Sequence, residues 1–207
     1  MTLLEAFNII LTANEEESRK TARQVRKLAY SHNDKDKYST IVSIIETAPQ
    51  TYTDITEEFR QENFVKAISV IYFLRKDSQQ ADRFFPWLIK LIQHNNGYIR
   101  YAAVRMLENE LGPLTVYIRH PDFPVKDNHV TPLQADIILY HLYVALNDLS
   151  NQFWRPEFKN KKYKYISDLP PGPYKSIEMV LGTMEEYCGK EYLEKLRDPL
   201  YFLQSRG

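Results

Sequence analysis

The sequence predicts an all-α chain, a curved α-α superhelix of helical hairpins with a divergent C-terminal helical part. Three observations predict it. Apolar residues recur at helical spacing through most of the first half. Glycine is scarce, at 6 of 207 residues, which disfavours a β protein built on tight turns. Candidate two-helix units begin near Leu3, Tyr38 and Phe84, at spacings of about 35 to 46 residues, the range of irregular helical repeats.

The clearest unit runs from Asp82 to Leu111. Phe84, Phe85, Leu88, Leu91 and Ile92 fall at i, i+1, i+4, i+7 and i+8, one stripe on a helix. Asp82 is placed as N-cap or first-turn acid, and Pro86 is tolerable because it sits in the first turn. Asn95, Asn96 and Gly97 form the turn. Ile99, Ala103, Met106, Leu107 and Leu111 make the second stripe, which Gly112-Pro113 is expected to end. Pro86, Leu88, Leu91 and Ile92, followed by Ile99, Arg100, Ala102, Ala103 and Leu107, resemble a HEAT repeat. Such repeats often carry Asp in the turn and Val-Arg at the start of the second helix; here these are Asn95-Asn96 and Ile99-Arg100. The resemblance covers about thirty residues and implies a fold, not an activity.

Length and composition fit one domain with a substantial core, three hairpins over 1–112 and the divergent part over 113–207. Lys+Arg and Asp+Glu both number 27, so the chain is neutral, which weakens a general nucleic-acid or membrane-surface role. The single cysteine, Cys188, excludes an intramolecular disulfide and fits a reducing cytoplasm. The N-terminal stretch is a poor signal peptide, because Glu5 and Asn8 interrupt it and no positive region leads it. No apolar run approaches the roughly eighteen residues of a membrane span. The 15 tyrosines suit an elongated fold with much half-buried surface.

The elements follow in order. Residues 3–12 predict a short helix with Leu3, Leu4, Phe7, Ile10 and Leu11 on one side. Asn14 and Glu15–Glu17 open a second helix that reaches about Tyr30. His32 to Asp36 is a polar turn. Ile41, Val42, Ile44 and Ile45 predict a helix ending before Pro49, and 50–56 a polar loop. A long helix is expected from about Ile55 to Lys76. Past Pro113, 114–119 is a short helical or extended piece and 120–130 a loop. Thr131-Pro132 is an N-cap with proline at the first helical position. Ile137 to Leu146 is apolar nearly all round, which predicts the most buried helix. Residues 151–169 are irregular, basic and aromatic, and Pro170-Pro171-Gly172-Pro173 is a stiff break. Ile177, Val180, Leu181, Met184 and Cys188 mark a helix ending at Gly189. A last one holds Tyr192, Leu193 and Leu196, stopped by Pro199.

Two segments are candidate binding sites. Trp154, Arg155, Lys159, Lys161, Lys162 and Lys164 alternate with Phe158, Tyr163 and Tyr165. Cations of this kind can track a phosphate backbone while aromatics stack on bases. The bland alternative is a solvated loop pinned to the core by its aromatics. Arg19, Arg23, Arg26 and Lys27 lie at i, i+4, i+7 and i+8 on one helix side, where a phosphate or an acidic peptide could bind. The bland alternative is a solvated face neutralised by the glutamates before it. Arg100 and Arg105 are expected to serve the repeat, with Arg100 on the turn or a neighbour.

Enzyme signatures are missing: no phosphate-cradling glycine loop, no H-E-x-x-H and no G-x-S-x-G. His120, Asp122, Asp127 and His129 are metal-capable types in a spacing that matches no metal signature. His141 is expected as a hydrogen-bonded core or interface histidine and Cys188 as plain core. Iron-dependent HEAT hydroxylases carry His-Glu pairs, and none occurs here. HEAT-like DNA alkylation-repair proteins are similar in fold only. Their glycosylases line a basic groove with Trp, Asp and Arg, but neither Trp87 nor Trp154 sits in a matching motif. No catalytic, cofactor or metal residue is therefore expected. The sequence points to a non-catalytic, cytoplasmic protein-interaction scaffold whose partner is a protein or peptide. The alternative is nucleic-acid binding, with DNA repair as one such role, through residues 154–165 and the helix-two cations.

Overall fold

The computed structural model describes residues 1–31, 37–74, 82–122, 130–156 and 172–198. Among these the chain is all-α. Its helices are α1 (Leu3–Thr12), α2 (Glu15–Ala29), α3 (Lys37–Thr53), α4 (Glu58–Ile71), α5 (Phe85–Ile92), α6 (Gly97–Arg119), α7 (Pro132–Phe153), α8 (Pro173–Cys188) and α9 (Lys190–Leu196). One 3-10 turn, Tyr72–Leu74, extends α4. The expected segments 32–36, 123–129, 157–171 and 199–207 lie outside the described residues.

Local chemistry accounts for the starts. Thr2 and Glu5 form a reciprocal capping box on α1, with Glu5 N donating to Thr2 Oγ1 (3.2 Å) and Thr2 N to Glu5 Oε2 (2.8 Å). Asn14 Oδ1 caps α2 at Glu17 N, 3.0 Å, and Asn96 Oδ1 caps α6 at Tyr98 N, 2.9 Å. Thr131 and Gln134 repeat the box on α7, with Pro132 at its first position. Gly189 ends α8 at φ +78°, a conformation that L side chains rarely adopt.

The helices pack as hairpins, α1 with α2, α3 with α4, α5 with α6 and α7 with α8. The second helices α2, α4, α6 and α8 also pack on one another in sequence, forming a continuous row. α9 closes against α7 and α8. Leu88, Leu91, Ile92, Ile99, Ala103 and Leu107 are all fully buried. Each large side chain among them contributes about 1.5–3 kcal/mol of apolar burial.

A polar belt joins the starts of the second helices. Ser18 Oγ donates to Ile10 O (2.9 Å), an α1 carbonyl beyond the last intrahelical bond, and accepts from Asn63 Nδ2 of α4 (3.0 Å). Arg60 of α4 donates to Ala13 O at the end of α1 (3.1 Å). One hairpin further on, Asn96 Nδ2 donates to Glu62 Oε2 of α4 (2.8 Å). Arg100 Nη1 reaches back to His94 O (2.7 Å) and Asn95 O (2.6 Å) after α5. Arg60 and Arg100 both sit near the start of a second helix, but Arg60 reaches the turn of the preceding hairpin and Arg100 the turn of its own.

Several sequence expectations need correction. Pro49 does not end α3, and 50–53 is helix rather than loop. The stripe Ile44, Ile45, Ala48 and Tyr52 stays buried through the proline and continues the helix. Gly112-Pro113 does not end α6 either. Pro113 and Asn109, whose carbonyl loses its donor, both face solvent. Leu111, Leu114 and Thr115 are meanwhile fully buried, and Arg119 Nη2 takes up Gly112 O at 3.0 Å. Packing therefore outweighs the local breaker. α4 begins at Glu58, not Ile55. α5 is preceded by Phe84, with Asp82 offering only its carbonyl to Phe85 N. Leu4 of α1 is exposed. α7 is not the most buried helix: Leu139, Leu142, Tyr143 and Leu146 face inward, while Ile137 and His141 face solvent. α6, packed between α4 and α8, buries more residues than α7 does.

Candidate functional site

The α2 candidates fall where the sequence places them. α2 buries Ser18, Thr21, Val25 and Ala29 against α1 and α4. Its opposite face carries Arg19, Lys20, Arg23, Arg26 and Lys27, all exposed. Among the described residues none of the five is in an ion pair or hydrogen bond through its side chain. Glu15, Glu16 and Glu17 stand at the helix start and make no ion pair with them. The α2 cap, Tyr30, is 48% exposed, and its ring lies 6.2 Å from that of Phe73, 46% exposed, in the 3-10 turn after α4. The sequence reading missed this pair. Tyr30 continues the series 19, 23, 26, and Phe73 follows the apolar run of α4 without joining its buried stripe.

Of the second segment, Trp154 caps α7 and is 45% exposed. Arg155 folds back so that Nη1 donates to Trp154 O (2.8 Å) and Gln152 O (3.2 Å). Lys159, Lys161, Lys162 and Lys164 lie outside the described residues. α2 packs on α1 and α4, whereas α7 packs on α6, α8 and α9. The two candidate segments therefore belong to opposite ends of the row.

Several other titratable groups are tied into the fold. Tyr117 of α6 and Tyr192 of α9 both donate to Asp136 Oδ1 of α7, and their hydroxyl oxygens are 2.7 Å apart. Burial and the Asp136 carboxylate push the Tyr192 phenol far up. Cys188 is buried, and burial with the nearby Asp136 charge pushes its thiol to about 11, so it stays protonated and inert at neutral pH. Tyr72 donates to the buried Glu110 of α6. Arg100 is buried, which pulls its guanidinium below its ordinary range. His94 Nδ1 accepts from Asn96 N (2.9 Å), and burial pulls that imidazole down, against the raising influence of Glu58. Trp87 is buried against Tyr52, ring centroids 6.2 Å apart, with its indole N–H making no hydrogen bond among the described residues. His141 is exposed beside Tyr140 rather than in the core, because it falls on the outer face of α7.

His120 and Asp122 are exposed, and Asp127 and His129 lie outside the described residues. Among the described residues no three His, Cys, Asp or Glu side chains gather as a metal site. No helix among them is long and apolar enough to cross a membrane. Comparison of the chain with protein-family models, with curated proteins and with solved structures gave no match.

Proposed function

We propose that the chain is a non-catalytic protein-interaction scaffold, a cytoplasmic array of HEAT-like helical hairpins that holds a partner protein or peptide. The observation that supports this best is the unbroken row of second helices α2, α4, α6 and α8. Such a row offers a long surface that recognises by shape and charge without chemistry. The buried polar groups support it too. Ser18, Asn63, Asp136 and Glu110 each bond to another helix of the same chain, as expected of groups that hold a scaffold together.

The second reading is nucleic-acid binding through residues 154–165 and the α2 cations. The unpaired cations of α2 favour it. The placing of Trp154 and Arg155 on α7, apart from α2, weighs against it.

The deciding experiment has two arms. Nuclease-treated polypeptides retained by the full chain are purified and titrated against it by calorimetry. Labelled single- and double-stranded DNA and RNA are titrated by fluorescence anisotropy across a salt series. The scaffold reading expects stoichiometric binding of a polypeptide and none of nucleic acid at low salt. Nucleic-acid binding that falls steeply with salt, and weakens when Lys159, Lys161, Lys162 and Lys164 become Ala, would replace it.

A further inference from the structure

We infer that the open face of α2 is the docking strip for a short acidic segment of a partner protein, anchored by an apolar or aromatic side chain on Tyr30 and Phe73. This rests on the scaffold reading and names the chemistry of its partner. At 100° per residue, Arg19, Arg23, Arg26 and Tyr30 fall on one line, flanked by Lys20 and Lys27. The charged part of the line, from residue 19 to 27, is about 12 Å long at 1.5 Å per residue. None of its five cations is in an ion pair or hydrogen bond through its side chain among the described residues. At the far end, two half-exposed rings meet across the C-termini of α2 and α4. A run of cations with an exposed aromatic anchor matches a ligand carrying several carboxylates followed by one apolar residue.

Charge arrangement favours a peptide over a nucleic-acid strand. Glu16 lies on the same face one turn before Arg19 and Lys20, beside Glu15 and Glu17 at the helix start. The start of α4, with exposed Glu57 and Glu58, sits at the same corner, because Arg60 bonds there to Ala13 O. A strand with one negative charge per nucleotide runs into these acids as soon as it outgrows the strip. A peptide can place carboxylates against the cations and a neutral or basic residue against the glutamates.

The test uses the full chain and four fluorescein-labelled probes. These are a short peptide of alternating Glu and Ser ending in Trp, the same peptide with Gln for Glu, the same peptide with Lys for Glu, and an oligothymidylate strand. The acidic peptide is expected to bind about tenfold or more tightly than its Gln counterpart. Arg19→Glu/Arg23→Glu/Arg26→Glu should abolish that binding, and should bind a Lys-for-Glu peptide instead. Phe73→Ala should weaken it several-fold. Lys190→Glu/Arg197→Glu, on the exposed side of α9, should leave it unchanged. All these positions are exposed, so far-UV circular dichroism should be unaltered. Equal loss in the α9 variant, or indifference to the α2 reversal, overturns the strip. Tighter binding of oligothymidylate, lost on α2 reversal, overturns both the acidic-segment assignment and the scaffold reading. Failure of the acidic peptide while a purified polypeptide still binds the full chain overturns the strip alone.

Discussion

Ser18 and Asn63 provide the sharpest test of how the row is held together. Both are buried, at 0% and 4% exposure, and they join three helices. Ser18→Ala removes the donor to Ile10 O and the acceptor for Asn63 Nδ2 together. A lost neutral hydrogen bond costs about 1 kcal/mol, and a buried amide left unsatisfied about 1–3, so the variant should lose about 2–4 kcal/mol. Asn63→Ala leaves the Ser18 hydroxyl still donating to Ile10 O and should cost about 1–2 kcal/mol. In the double variant no stranded amide remains, so its cost should be about 2–3 kcal/mol rather than the sum. The resulting coupling of about 1–3 kcal/mol is read from urea unfolding of the wild type, both single variants and the double variant, followed by circular dichroism. Additivity to within about 0.5 kcal/mol would refute the claim that the two side chains act as one tie.

Three further outcomes are expected. Arg100→Met should cost about 2–4 kcal/mol, since it strips two carbonyls after α5 of a buried charged donor, whereas Arg60→Met, which acts nearer the surface, should cost about 1 or less; paired thermal melts decide this. His94 has a depressed folded-state pKa, so the unfolded chain binds its proton first. Its contribution is complete above the unfolded value near 6.5 and is lost as pH falls through the folded one, and His94→Gln should flatten that part of a stability-pH curve. Gly112→Ala meets open space around the new Cβ, and Pro113→Ala restores a helical N–H at an exposed site; they should stabilise α6 by about 0.5–1 and 1–3 kcal/mol, seen as higher melting temperatures.

Helix starts and stops were legible where a side chain meets its own backbone, as at Thr131-Pro132, Asn14 and Gly189. Breakers misled where tertiary burial decided the outcome. Pro49 and Pro113 each have buried neighbours on the next turn, and a stripe that runs on past a proline is a better guide than the proline. The α7 run from Ile137 to Leu146 was misread because apolar composition does not say which side a neighbour covers. Arg100 was legible because its place after the Asn95-Asn96 turn leaves it facing that turn. The Ser18–Asn63 tie was not, since two common polar residues 45 positions apart carry no local pattern. The α2 cations were legible from spacing alone, but their lack of partners and the Tyr30–Phe73 pair needed the packing of α4.

The belt across the starts of the second helices has a mechanical meaning. Its bonds are directional and resist small changes of distance; Ser18–Asn63 and Asn96–Glu62 cross between neighbouring helices of the row, and Arg100 holds the turn of its own hairpin. Elsewhere along the same helices most contacts are apolar and not directional, but Tyr72 after α4 still bonds to Glu110 of α6 and Thr183 of α8 to Glu108 of α6. Force that separates α2 from α4 should therefore be borne first at the Ser18–Asn63 bond. A ligand gripping α2 near Tyr30 and Phe73 would pull beside Tyr72, whose bond to Glu110 would carry that load on into α6.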